Sequence, residues 1–198
     1  MSENTLRSLS GMPDSPASFA ESTLLMVDLQ NTYTRDVLEL DGVQPALEEA
    51  AALLDRARSV GVPVIHIQHD AGVGSPFDVT AEIGAIVREV APRDDERVVV
   101  KNFPNAFTKT ELHKLLSASS RRDVVLAGFM THMCISSTAR GAFSLGYRPT
   151  VVATATATRA LPGPDGLTVS AAALQGASLA AITDLFGLVV AATADLPD

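Results

Sequence analysis

Short apolar runs alternate with stretches of helical period along most of the chain. Residues 22–28 (STLLMVD) are apolar up to a closing carboxylate, the pattern of a parallel strand buried on both faces that delivers one polar group at its end. The sequence ALEEAAALLDRARSV, following Pro45 and reaching Val60, has helical periodicity and a stop at Gly61, and 62–68 (VPVIHIQ) returns to a buried strand. The cycle continues with a loop at 69–79, a short helical segment around 80–90 and the strand Val98–Lys101. A capping box of Thr108 and Glu111 opens a helix that ends near Ser119. There follow a strand Val124–Gly128, a helix near Met133–Leu145, a strand Thr150–Ala153, a helix near Ser170–Phe186 and a last strand Leu188–Ala191. Six apolar strands mostly separated by helices predict an α/β fold, with helices on both faces of a doubly wound parallel sheet. In such a sheet functional groups gather at the carboxyl ends of the strands, near the point where strand order switches.

Residues 1–21 are rich in Ser, Pro and Gly and read as an N-terminal arm, whose Leu6, Leu9 and Met12 are placed to pack on a neighbouring subunit. Residues 22–198 then form one domain. A chain of 198 residues with 46% hydrophobic and 19% charged residues has enough apolar surface for a single core. The net charge of −8, without a basic run, disfavours nucleic acid and leaves a small molecule as the expected partner. No stretch reaches roughly 18 uninterrupted apolar residues, and no basic start precedes an apolar segment, so no membrane partner and no export are expected. The single cysteine excludes an intramolecular disulfide and fits a reducing, cytoplasmic setting.

Three reactive groups follow strand-like runs. Asp28 closes LLMVD, Lys101 closes VVVK, and Cys134 lies six residues past Gly128 at the start of a helix. A parallel sheet would collect all three at one edge. A free thiol has a pKa of about 8.5 and is only slightly ionised at neutral pH. A carboxylate base, an ammonium and a helix N-terminus would each raise that fraction.

The segment AGFMTHMCISSTARGAFSLGY resembles the nucleophile loop of isochorismatase-like cysteine hydrolases, and MVDLQNTY and VVVKNFPNAFTKTEL resemble the segments carrying that family's Asp and Lys. The likeness runs in order from about residue 22 to 192. It implies a three-layer α/β/α domain with a six-stranded sheet and a catalytic triad of Cys134, Asp28 and Lys101. It also implies a cis peptide between Phe129 and Met130, with the backbone N–H groups of Met130 and Cys134 forming an oxyanion hole. The implied chemistry is hydrolysis of a carbon–nitrogen bond in a small amide, carbamoyl or cyclic amide substrate through a thioester, with no cofactor, in a homo-oligomer of two or four copies.

Asn31, Tyr33, His69, Phe77 and Phe107 lie in or beside loops that should rim the site and are the candidate substrate contacts; loop packing or subunit contact is the plainer role for each. His66 and His69 invite a metal reading. The metal-dependent branch of the family carries Asp-x-His after this strand, whereas this chain has Gln68, His69 and Asp70, so no metal is expected. His132 is read as shaping the pocket, not as the base. Relatives often have an Asp where this chain has Thr154. Two other functions remain: a vinyl-ether hydrolase, against which Cys134 argues because true isochorismatases lack it, and a non-hydrolytic thiol protein serving redox sensing or ligand binding.

Overall fold

The computed structural model describes residues 4–198, Val37 by its backbone. After a one-turn helix α1 (Leu6–Leu9) come β1 (Thr23–Val27), α2 (Val43–Val60), β2 (Val64–His69), β3 (Arg97–Lys101), α3 (Leu112–Ser117), β4 (Asp123–Phe129), α4 (Ser136–Ser144) and β5 (Arg148–Ala157). A two-residue hairpin of β6 (Leu161–Pro162) and β7 (Thr168–Val169), then α5 (Ala171–Ala181) and β8 (Leu188–Val190), complete the order. The main sheet has six strands in the order β3-β2-β1-β4-β5-β8, all parallel. Strand order reverses between β1 and β4, which fixes the switch point where Asp28 and the segment after Phe129 emerge.

The apolar runs are strands because both sheet faces are covered. On one face Ala46, Leu47, Ala50, Leu53, Leu54 and Ala57 of α2 meet Leu24, Met26, Val125 and Val152. On the other, Leu112 and Leu116 of α3, Ala139 and Ala142 of α4, and Ile182 cover Leu25, Val27, Ile67, Leu126 and Val151. The buried positions of α2 recur at three- and four-residue spacing, and Gly61 closes the helix with φ 73°, where glycine has no steric penalty.

Two predicted helical features differ. Residues 80–90 form no α-helix but the 3-10 turns Glu82–Gly84 and Arg88–Val90. Their backbone groups are taken from outside: Gln30 Nε2 (2.7 Å) and Gln68 Nε2 (2.9 Å) donate to the Gly84 carbonyl, Asn31 N–H donates to Ala85, and Val87 N–H donates to Leu29. The capping box at Thr108 and Glu111 is absent. Lys109 takes a left-handed φ of 56°, which breaks helical continuity, and α3 starts only at Leu112 with Glu111 making no side-chain cap. β5 also extends four residues past Ala153, to Ala157, after a register shift against β4. In the arm, Leu6 N–H donates to Asp184 (2.9 Å) and the Arg7 guanidinium to the Leu185 carbonyl (3.3 Å), so α1 lies on its own chain with Leu6 and Leu9 turned outward. Among the described residues no helix is long and apolar enough to cross a membrane.

Candidate active site

β1 ends at Val27, and Asp28 beyond it has a left-handed φ of 50°. Asp and Asn enter that region more readily than other side chains. The corner is pinned by Asp28 N–H donating to the Ile67 carbonyl and Gln30 N–H donating to the Asp28 carbonyl, both at 2.9 Å. Val27 is paired with Gly128, where an added Cβ would lie 1.8 Å from the Val27 carbonyl oxygen. Glycine at 128 therefore lets β4 close onto β1 and carries the next turn to the side of Asp28.

That turn begins with a cis peptide at Phe129–Met130 and continues as a five-residue π-helical segment, Thr131–Ile135, running into α4. Thr131 Oγ1 donates to the Ala157 carbonyl (3.1 Å), and the N–H groups of Met133 and Ile135 converge on the Met130 carbonyl (3.0 and 3.2 Å). Cys134, only 5% exposed, is held inside the segment.

Lys101 closes β3 and is 1% exposed. Its Nζ lies 2.7 Å from Asp28 Oδ2, 3.2 Å from His69 Nδ1 and 3.4 Å from Cys134 Sγ. The contact with Asp28 is a charge-assisted pair sealed from water, with both carboxylate oxygens buried. Burial pushes the Asp28 carboxyl above its ordinary pKa while Lys101 pulls it down. Burial also pushes the Cys134 thiol up, the Asp28 charge adds to the push, and Lys101 opposes it. The sequence led us to expect surroundings that ionise the thiol. Burial reverses this and favours the neutral thiol.

Of the five candidate substrate contacts, three stand together beside this trio. Tyr33 is buried, with its ring edge-on to Phe77 (5.6 Å) and Phe129 (5.8 Å), and its hydroxyl pKa is raised by burial and then by the Asp28 charge. Phe77 in turn meets His69 edge-on at 4.9 Å. Asn31 spends its amide on the Glu82 carbonyl (2.7 Å), and Phe107 stacks on Tyr147 among the side chains of the α3 and α4 layer. His66 alternates to the opposite sheet face from His69 and contacts Glu96 at 3.0 Å. Among the described residues no three His, Cys, Asp or Glu side chains are grouped to hold a metal. His132 Nδ1 lies 2.6 Å from Thr158 Oγ1, and Thr154 binds the Ala191 carbonyl on an exposed stretch of β5.

Sequence reasoning passed over Arg159. Ala157 pairs with Phe129 at the end of β5, so Arg159 emerges two residues later beside the Met130–Thr131 turn. Burial and then the Arg159 charge lower the pKa of His132, and the same charge opposes the rise at Tyr33. Arg159 Nε is buried without a partner, and no carboxylate among the described residues pairs with it. The only signal in the sequence was a cation just past the end of a strand.

A family profile described as the isochorismatase domain matches residues 22–192. The crystal structure of an isochorismatase from Pseudomonas putida is similar, with a TM-score of 0.93 and 37% identity, covering 98% of each chain. A protein of Verticillium dahliae named as a secreted isochorismatase effector is 33% identical over 94% of this chain and 96% of its own length. A maleamate amidohydrolase of Pseudomonas putida is 35% identical over 65% of this chain and 68% of its own.

Proposed function

This chain belongs to the isochorismatase family, and on that premise we propose that it hydrolyses the carbon–nitrogen bond of a small amide or carbamoyl compound, open or cyclic, through a thioester on Cys134. The observation that carries the reading is the place of Lys101, one buried cation 2.7 Å from Asp28 and 3.4 Å from Cys134. When Asp28 takes the thiol proton, negative charge moves from oxygen to sulfur within reach of the same ammonium, so the trio keeps its net charge and no new charge is buried.

Sulfur then bonds to the substrate carbonyl carbon, and the N–H groups of Met130 and Cys134 stabilise the oxyanion. Asp28 returns the proton to the departing nitrogen as the carbon–nitrogen bond breaks. Water attacks the thioester and gives its proton to Asp28, the acid product leaves, and Asp28 hands the proton back to sulfur. Tyr33, Phe77 and His69 wall the reacting centre.

The unpaired Arg159 supports a substrate that carries its own anion, a carboxylate set apart from the amide. The relative named for maleamate supports the same class, because maleamate is an amide with a free carboxylate. A thiol with a raised pKa is a poor peroxide sensor, which weighs against the redox alternative. The lone thiol favours a reducing, cytoplasmic setting. Helix α5, apolar yet mostly exposed, supports assembly of two or four copies, which light scattering would measure.

Ammonia release from maleamate, N-carbamoyl amino acids and their uncharged counterparts tests the proposal. We expect turnover of the carboxylated amides and its loss in Cys134→Ala. In Arg159→Leu, KM for the carboxylated amides should rise by about tenfold or more, with uncharged amides little affected. If Cys134→Ala keeps its turnover, or no amide is hydrolysed, the reading fails.

A further inference from the structure

Of the groups around the Lys101 ammonium, His69 takes no part in the proton transfers of hydrolysis. His69 Nδ1 lies 3.2 Å from Nζ, the third acceptor around a group that has three donors and no lone pair. Such a contact is bonding only if Nδ1 is unprotonated, which assigns the ring its neutral form with the proton on Nε2.

The ring is placed from several sides. His69 and Lys101 are in register across β2 and β3. Buried Gln30 grips both backbone groups of His69: its Oε1 accepts from the His69 N–H, and its Nε2 donates to the His69 carbonyl, each at 2.9 Å. Phe77 packs edge-on against the imidazole. The charged groups facing it are Lys101, Asp28 and the adjacent Asp70. Burial and then Lys101 lower its pKa, and the two carboxylates oppose them.

We propose that His69 is a positioning residue whose Nδ1 holds the Lys101 ammonium midway, in reach of both Asp28 and Cys134. The inference rests on Cys134 as the nucleophile. Without this acceptor the ammonium swings onto Asp28, its strongest partner, and a thiolate forming on Cys134 loses its counter-charge.

Two measurements on the full chain test it, neither requiring a substrate. Nitrogen-15 NMR of histidine-labelled protein, with the His69 signal assigned by its loss in His69→Asn, should give an unprotonated Nδ1 that persists to lower pH than in an ordinary histidine. Replacing Lys101 by Met should release that restraint. Alkylation of Cys134, the only cysteine, by iodoacetamide should slow about fivefold or more in His69→Leu and return to near the wild-type rate in His69→Asn, whose Oδ1 replaces Nδ1. A proton on Nδ1 at neutral pH, or equal alkylation rates in the wild type and both variants, would overturn the proposal. Failure of the hydrolase reading would register separately, as absence of amide turnover with the NMR and alkylation results intact.

Discussion

Asp28 joins two properties that seldom meet, a left-handed backbone and a fully buried carboxylate. Asn keeps the first and removes the second, since its amide tolerates the same φ without a charge. Asp28→Asn should therefore fold, yet lose amide turnover by about a thousandfold or more, because the thiol proton has no acceptor. The same change should make the thiol more acidic. After burial, the Asp28 charge is the next cause that pushes the Cys134 pKa up, and its removal leaves Lys101 without a carboxylate, so a thiolate becomes the natural counter-ion. Alkylation by iodoacetamide at neutral pH should accelerate as hydrolysis disappears; slower alkylation would mean that Asp28 does not govern the thiol. The three reactive residues were legible in the sequence because each closes or follows an apolar run and a parallel sheet aligns such ends. The rise in the thiol pKa was not legible, since it depends on how completely the packed layers exclude water. Arg159 was hidden for a similar reason: an unpaired cation is recognised only when its surroundings are known.

Gly128 sets the spacing between two strands. With φ 128° and the Val27 carbonyl oxygen 1.8 Å from where a Cβ would stand, no side chain fits unless β1 and β4 separate. Gly128→Ala should cost about 3 kcal/mol or more in urea unfolding, well beyond an ordinary surface change. Gly146→Ala is the comparison, because its φ is also positive but nothing lies within 4 Å of an added Cβ. A similar loss in both variants would refer the effect to backbone conformation alone. The six strands of the main sheet and the long helices are legible in the sequence because period and burial coincide, as in α2, although the full length of β5 and the β6–β7 hairpin are not. The segment at 80–90 was misread because its backbone groups are claimed by Gln30, Asn31 and Gln68, residues distant in the sequence. The spacing of Thr108 and Glu111 suited a capping box, but the left-handed Lys109 between them turns the chain and delays α3. In both cases a local pattern yielded to contacts that the fold alone creates.

Across the whole molecule the sheet separates two charged centres, the Asp28–Lys101–Cys134 cluster and a second one built around Glu96. Glu96 accepts from Arg58 Nε and Nη2 and from Arg93 N–H, each at 2.8 Å, and lies 3.0 Å from His66 Nε2. Burial alone would raise its pKa, but these donors hold it down to about 2, against an unfolded value of 4.5. A depressed carboxylate contributes stability that is complete above the unfolded value and is lost as pH falls toward the folded one. His66 works in the same direction: burial lowers its pKa, so its contribution is present above 6.5 and is lost as acidification forces a proton onto it. Asp28, with a raised pKa, opposes them, since its contribution is complete below 3.8 and is lost as pH rises through its folded value. We expect the melting temperature to fall from pH 7 toward pH 5 and again, more steeply, below pH 4.5. Glu96→Gln should cost about 3 kcal/mol at neutral pH, because Arg58 loses a charged partner in a half-buried site, and should flatten the acid limb below pH 4.5. Thermal and urea unfolding across that range would measure both effects, and an acid limb of unchanged slope in the variant would assign acid sensitivity to other carboxylates.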